Sequence, residues 1–276
     1  MQISKAFDNI DHNWMIRMIE ERVNDRAFTN LIRKWLKAGV METDGQVLHP
    51  ATGTPQGGIV SPVLANIYLH YVLDLWFEKK VKPRCKGKVK IIRYANDFVC
   101  AFQYKGEADS FYKDLAERLA KFGLELAKEK SRTLLFSRFK TDKNEGFDFL
   151  GFEFRWKNDH KGQPRMTRRT SRKKLNASIA NFTAWIKENR YKRTRWVMET
   201  LVSKYRGYWN YYGIKGNYSS LRLFYYLSRR ILFKWLNRRS GRHSYNWKGF
   251  TELFRHYSIP QPRITEQGMN RTYKFA

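Results

Sequence analysis

The segment KIIRYANDFVCAF, residues 90–102, admits few folds. Ile91, Ile92, Tyr94, Phe98, Val99 and Phe102 place β-branched and aromatic side chains on both sides of a polar tip, which favours two strands joined by a tight turn. Asn96 and Asp97 suit that turn because both residue types tolerate left-handed backbone geometry.

The flanking sequence supplies helices as well as strands. MQISKAF alternates briefly and runs into DNIDH, where Asp8 or Asp11 can cap the helix suggested by NWMIRMIEERV. DGQVLHPATGTPQGG reads as a loop with short strands. Ser61 before Pro62 then marks a helix start, and Val63, Leu64, Ile67, Tyr68, Tyr71, Val72, Leu75 and Trp76 recur at helical spacing. Beyond the hairpin, EADSFYKDLAERLAKFGLEL is an amphipathic helix closing near Gly123, and KSRTLLF and FDFLGFEFRW read as strands. The order β-α-α-β-β-α-β-β predicts an α+β domain, with helices on one face of a mainly antiparallel sheet. After it the chain reads as helical, over 171–189, 193–212, 219–238 and 247–256.

Charge divides the sequence. Residues 157–276 hold 28 basic and 5 acidic side chains, whereas residues 1–156 hold 26 and 20. We therefore expect two domains, 1–156 and 157–276, meeting in RWKNDHKGQPRMTRRTSRKK (155–174), which reads either as an exposed linker or as a loop on RNA phosphates. A net charge of +29 with 16% aromatic residues points to a polyanion, and to nucleic acid before others, since cations neutralise phosphates and rings stack on bases. In the second region RRTSRKK, RYKRTRW, SRR and NRRSGRH, with Arg206, name the candidate RNA-binding residues: Arg168, Arg169, Arg172, Lys173, Lys174, Arg193, Arg195, Arg206, Arg229, Arg230, Arg238 and Arg239. The tryptophans and tyrosines among them are core residues more often than stacking platforms. No run of 18 apolar residues and no secretory signal is visible, so the expectation is a cytoplasmic protein without a membrane partner. Cys85 and Cys100 form no CxxC pair and the six histidines are scattered, which argues against structural zinc and a disulfide framework.

GTPQGG (53–58) alone is a common glycine-rich turn, and YAND alone a hairpin tip. Taken in order, however, ISKAFDNIDH, GTPQGGIVSPVLANIYLH, RYANDF, GLELAKEKS and FLGFEF closely resemble the palm of group II intron-encoded reverse transcriptases, and YRGYWNYYG (205–213) is similar to that family's maturase signature. The resemblance implies a palm followed by a helical thumb and maturase region. It further implies a site where two Mg2+ ions align the primer hydroxyl and neutralise the triphosphate, held chiefly by the aspartate of the first motif and the first aspartate of the hairpin. At those positions this chain has Gln2 and Asn96, leaving Asp97 as a residual metal ligand. A carboxylate and a divalent ion about 4 Å apart attract by roughly 8 kcal/mol at an effective dielectric near 20. Even ~4 kcal/mol lost is about a thousandfold. Mg2+ is thus not expected to be held productively, and the polymerase is expected to be inactive.

Other positions carry over from the resemblance as nucleotide or template contacts: Phe7, Gln56, Gly57, Gly58 and Lys130. Phe7 reads equally as a core aromatic and Lys130 as a solvated lysine. The family's fingers precede the palm and this sequence starts inside the first motif, so fingers residues are expected to be missing or to come from a separate chain or a second copy. No endonuclease module is expected. Three functions remain open: a maturase-type protein binding structured intron RNA to assist splicing, with a DNA target as a further candidate partner; a working reverse transcriptase completed by a fingers chain; and a structural RNA-binding subunit of another ribonucleoprotein.

Overall fold

The computed structural model describes residues 1–4, 9–37, 40–41, 47–48, 53, 60–139, 146–239 and 244–266. It divides into two compact units, Met1–Leu134 and Leu135–Ala276. The step in charge at 157 lies inside the second unit, so charge and packing divide the chain at different places.

The first unit runs β1 (Ile3–Ser4), α1 (His12–Glu20), α2 (Arg26–Lys37), β2 (Val40–Met41), β3 (Val47–Leu48), α3 (Ser61–Leu69), β4 (Val89–Tyr94), β5 (Asp97–Phe102), α4 (Lys105–Ala120) and β6 (Glu125–Leu126). Asp11 caps α1 by accepting from Trp14 N at 2.8 Å, while Asp8 lies outside the described residues. Helix α2 was not expected from the sequence, yet Thr29, Ile32 and Leu36 form its buried stripe and Asp25 accepts from Phe28 N at 3.0 Å. α3 starts at Ser61 as expected, with Val60 as its cap residue and Pro62 in the first turn. The expected buried face holds at Leu64, Tyr68 and Val72, but Val63 is 58% exposed. The helix continues through two π-helical turns, His70–Asp74 and Phe77–Val81. The guanidinium of Arg118 on α4 donates to the Val72 and Tyr71 carbonyls at 3.0 and 3.3 Å, supporting the widened turn from its side. Met15, Tyr68, Leu73, Phe77, Phe98 and Leu115 form the core of this unit.

In the second unit β7 (Gly146–Phe149), β8 (Phe152–Asn158) and β9 (Pro164–Thr170) make an antiparallel sheet, followed by α5 (Arg172–Asn189), α6 (Thr194–Tyr212), α7 (Tyr218–Leu236) and α8 (Trp247–His256). The four helices fall within two residues of their expected bounds. The polar stretch 155–174 is neither linker nor loop: most of it is the β8–β9 hairpin, with Asp159 accepting from Lys161 N and Gln163 N in its turn. The strand expected at 130–136 does not form: Lys130 closes a 3-10 turn, Lys128–Lys130, and residues 131–136 run on without regular structure.

The YRGYWNYYG segment reads here as a packing code. Tyr205 and Trp209 are fully buried, and the Tyr205 hydroxyl lies 2.7 Å from Ser228 Oγ on α7. Tyr208 stacks on Phe224 at 3.9 Å between ring centroids. Tyr211 stacks on Phe152 and donates to the Leu150 carbonyl at 2.9 Å, in the tight β7–β8 turn where Leu150 and Gly151 both have positive φ. Gly213 has no room for a side chain, because a Cβ there would stand 2.2 Å from the Trp209 carbonyl.

Candidate functional site

Backbone pairing assembles the hairpin site. β4 and β5 pair from Val89↔Phe102 to Tyr94↔Asp97, leaving a two-residue tip, Ala95–Asn96. Ala95, not Asn96, takes the left-handed φ of 52°. An isolated bridge joins Gln2 to Asp97, with Ile3 N donating to Asn96 O and Phe98 N to Met1 O, both at 3.0 Å. On its other side this N-terminal strand pairs with β6 through Ile3↔Leu126, and Ala127 N donates to Gln2 O at 2.9 Å. Gln2, Asn96 and Asp97 are therefore neighbours, although 94 or more positions separate Gln2 from the other two.

The chemistry of that cluster is mostly neutral. Asn96 Nδ2 donates to the Ile3 carbonyl at 3.3 Å, a bond that a carboxylate could not make. Asp97 is half-buried, and its carboxylate makes no hydrogen bond or ion pair among the described residues. Magnesium asks for several anionic oxygens. The donor set here is one carboxylate and two amides, one of them turned onto the backbone, and among the described residues no three His, Cys, Asp or Glu side chains gather around a common point. This set does not fit a two-magnesium centre.

Phe7, Gln56, Gly57 and Gly58 lie outside the described residues. Lys130 is exposed at the end of the 3-10 turn after β6, next to Ser131, whose Oγ accepts from Gln2 N at 3.3 Å. Sequence reasoning missed Arg93, which braces the tip. It is bidentate to Asp74 at 2.8 and 2.6 Å, and its Nη1 reaches Asn66 Oδ1 at 2.8 Å and the Ala95 carbonyl at 3.0 Å. Nothing short of the fold pairs an arginine with an aspartate nineteen residues earlier. Burial pushes the neighbouring Cys100 thiol up to about 12, so it stays protonated.

The candidate RNA-binding cations of the second unit fall into three groups. Arg172, Lys173, Lys174, Arg193 and Arg206 are exposed and form no ion pair among the described residues. Arg168, Arg169 and Arg195 are paired, with Glu266, Glu153 and Glu199 at 2.8, 2.6 and 2.8 Å. The rest rest on rings and hydroxyls. Arg230 lies over Tyr226, Arg238 over Trp235, and Arg229 and Arg239 donate to Thr251 and Thr194. Arg239 Nε and Nη2 are buried without acceptors, and burial lowers its pKa.

Residues 1–154 match the family model described as reverse transcriptase (RNA-dependent DNA polymerase). The chain belongs to the reverse transcriptase family. Its similarity within the family is to the group II intron reverse transcriptase/maturase type. It is 25% identical to the group II intron-encoded protein LtrA of Lactococcus lactis subsp. cremoris, over 98% of this chain and 57% of LtrA. It is 37% identical to the putative COX1/OXI3 intron 1 protein of Saccharomyces cerevisiae over 33% of this chain and 11% of that protein. It is 29% identical to protein YkfC of Escherichia coli over 66% of this chain and 53% of YkfC. The chain thus spans little more than half the length of LtrA and a small part of the yeast protein. The family match crosses from the first compact unit into the second, ending in β8 of the FLGFEF hairpin. Reverse transcriptases generally use Mg2+, whereas the donors gathered at the hairpin of this chain are one carboxylate and two amides. Among the described residues no helix is long and apolar enough to cross a membrane.

Proposed function

We propose that this chain acts as a maturase-type protein, binding structured group II intron RNA to assist splicing, while its palm does not polymerise. The observation that carries the reading is the cluster at the hairpin, where Gln2, Asn96 and Asp97 meet and supply one carboxylate. The RNA half of the reading is supported by the exposed, unpaired cations on and around α5 and α6, and by the intron-encoded relatives. Arginine and lysine on a rigid helical surface suit folded RNA, which is gripped through phosphates, 2′-hydroxyls and unstacked bases.

A primer-extension assay on the isolated chain, with Mg2+ or Mn2+, is expected to yield no product, and extension would overturn the inactive palm. Binding to group II intron RNA should exceed binding to unrelated structured RNA by more than about tenfold, roughly 1.4 kcal/mol, and should weaken with salt. A smaller preference would favour a general RNA-binding subunit.

A further inference from the structure

A cleft of about 250 Å3 lies between α7 and α8, bordered by Tyr225, Arg229, Phe254, Arg255, Ser258 and Gln261 among others. Arg229 enters it half-buried. Its Nη2 donates to Thr251 Oγ1 at 2.7 Å, its guanidinium sits 5.4 Å from the centroid of the Phe254 ring, and its Nε is buried without an acceptor. Arg255, one turn beyond Thr251 on α8, is exposed and forms no ion pair among the described residues.

No acid answers these two cations. Of the five acidic residues in 157–276, Glu199 and Glu266 are paired with Arg195 and Arg168, and Asp159 serves its own turn. Glu188 and Glu252 are exposed, and neither lines the cleft. A cation taken partly out of water, as Arg229 is, is ordinarily paired, and Arg229 from α7 with Arg255 from α8 bordering one cleft calls for an anion from outside the chain. Beside them the lining is neutral and polar. Gln261 Nε2 donates to the Tyr225 hydroxyl at 2.8 Å, which leaves the Gln261 carbonyl oxygen free to accept, and the Ser258 hydroxyl makes no hydrogen bond among the described residues. An acceptor beside a hydroxyl matches a group that both donates and accepts, as a ribose 2′-hydroxyl does.

We propose that this cleft seats one nucleotide of an RNA strand, its phosphate between Arg229 and Arg255 and its ribose hydroxyl against Gln261 and Ser258. The proposal rests on the RNA-binding reading above and gives it a specific seat.

The test uses the full chain with an RNA hairpin bearing a single-stranded tail, and with its all-DNA counterpart. Arg255→Glu, on an exposed side chain, should leave the melting temperature unchanged, weaken RNA binding about tenfold or more, and lower the slope of log K against log salt by about one. Lys113→Glu makes the same charge change on the exposed side of α4 and should have little effect. Arg229→Lys keeps the charge but loses the planar fork, and should weaken binding as well. Gln261→Ala should narrow the preference for RNA over DNA. Equal effects of Arg255→Glu and Lys113→Glu would overturn the cleft while leaving the RNA-binding reading intact, and failure of the unaltered chain to bind either probe would overturn both. An unchanged RNA preference in Gln261→Ala would overturn the assignment of the sugar.

Discussion

At the hairpin of the first unit, Asn96 points its amide at a backbone carbonyl and leaves Asp97 alone; in residues 157–276, 28 basic side chains stand against five acids, and several of the described ones lean on rings and hydroxyls instead. On the proposed reading, one region keeps the shape of a charged centre with a single carboxylate left in it. The other keeps far more charge than its fold can neutralise. The difference follows from what holds each together. β1, β5 and β6 are joined by backbone hydrogen bonds that do not depend on the side chains at positions 2 and 96, so amides there cost the sheet nothing and Asn96 adds a bond. Unpaired guanidiniums, by contrast, repel one another and carry a desolvation cost, which favours a helical surface only when a polyanion is at hand.

The comparison can be broken in several places. The largest expected effect is Gly213→Ala, which sets a Cβ against the Trp209 carbonyl and Thr265 Oγ1 and should destabilise the second unit by about 3 kcal/mol. Two unfolding transitions in urea, only the one belonging to the helices moving, would show that the units unfold separately; a single shared shift would break that separation. The double change Gln2→Asp with Asn96→Asp should come next. Without divalent ions it is expected to cost about 2 kcal/mol, from like charges beside Asp97 and the lost bond to Ile3 O. Added Mg2+ should then raise its melting temperature but not that of the unaltered chain, since binding to the folded state alone at about a hundred times Kd contributes roughly 2.7 kcal/mol. Equal responses to Mg2+ would show that the amides had not emptied the site of its ion.

Smaller still, Tyr205→Phe removes the buried hydroxyl that meets Ser228 and should cost about 1 kcal/mol by thermal melting. The least effect is expected from acid. For Glu153 burial pushes the carboxyl up, but Arg169 and Arg155 outweigh it and hold the pKa below the usual range. For Glu266 the Lys215 amide leads and Arg168 adds to it, again lowering the pKa. Depressed folded values mean that this stabilisation is complete above the unfolded carboxylate value, about 4.3, and is lost as pH falls through the folded values. Melting temperature should decline over that window, and Glu153→Gln with Glu266→Gln should flatten the decline.

Much of the fold was legible because it is written locally. The β4–β5 strands follow from alternating Ile, Tyr, Val and Phe around a short tip, and α5 to α8 from apolar residues recurring every three or four positions. Helix α2 carries local signals too, Asp25 and the Thr29, Ile32, Leu36 stripe, but they are interleaved with Arg26, Arg33, Lys34 and Lys37 and so are masked by polar residues. β9 was obscured because in PRMTRRT five of seven side chains are charged or carry a hydroxyl, and its pairing with β8 supplies what composition hides. At the site, the sequence names Gln2, Asn96 and Asp97 through their motifs. It is silent on Arg93 with Asp74, and on Arg118 with the Val72 carbonyl, since those contacts join distant segments.

The amino-acid order by itself settled which side chains this protein has for chemistry: amides at Gln2 and Asn96 beside a single Asp97, and a surplus of cations after residue 157. Charge and donor type belong to a residue wherever it sits. Only the tertiary structure decided which of those cations are already engaged, that Tyr205 and Trp209 of the signature are interior while Tyr211 stays exposed, and that Arg229 and Arg255 border a cleft without an acid. Those outcomes depend on burial and on partners far away in the chain, and neither is encoded at any one position.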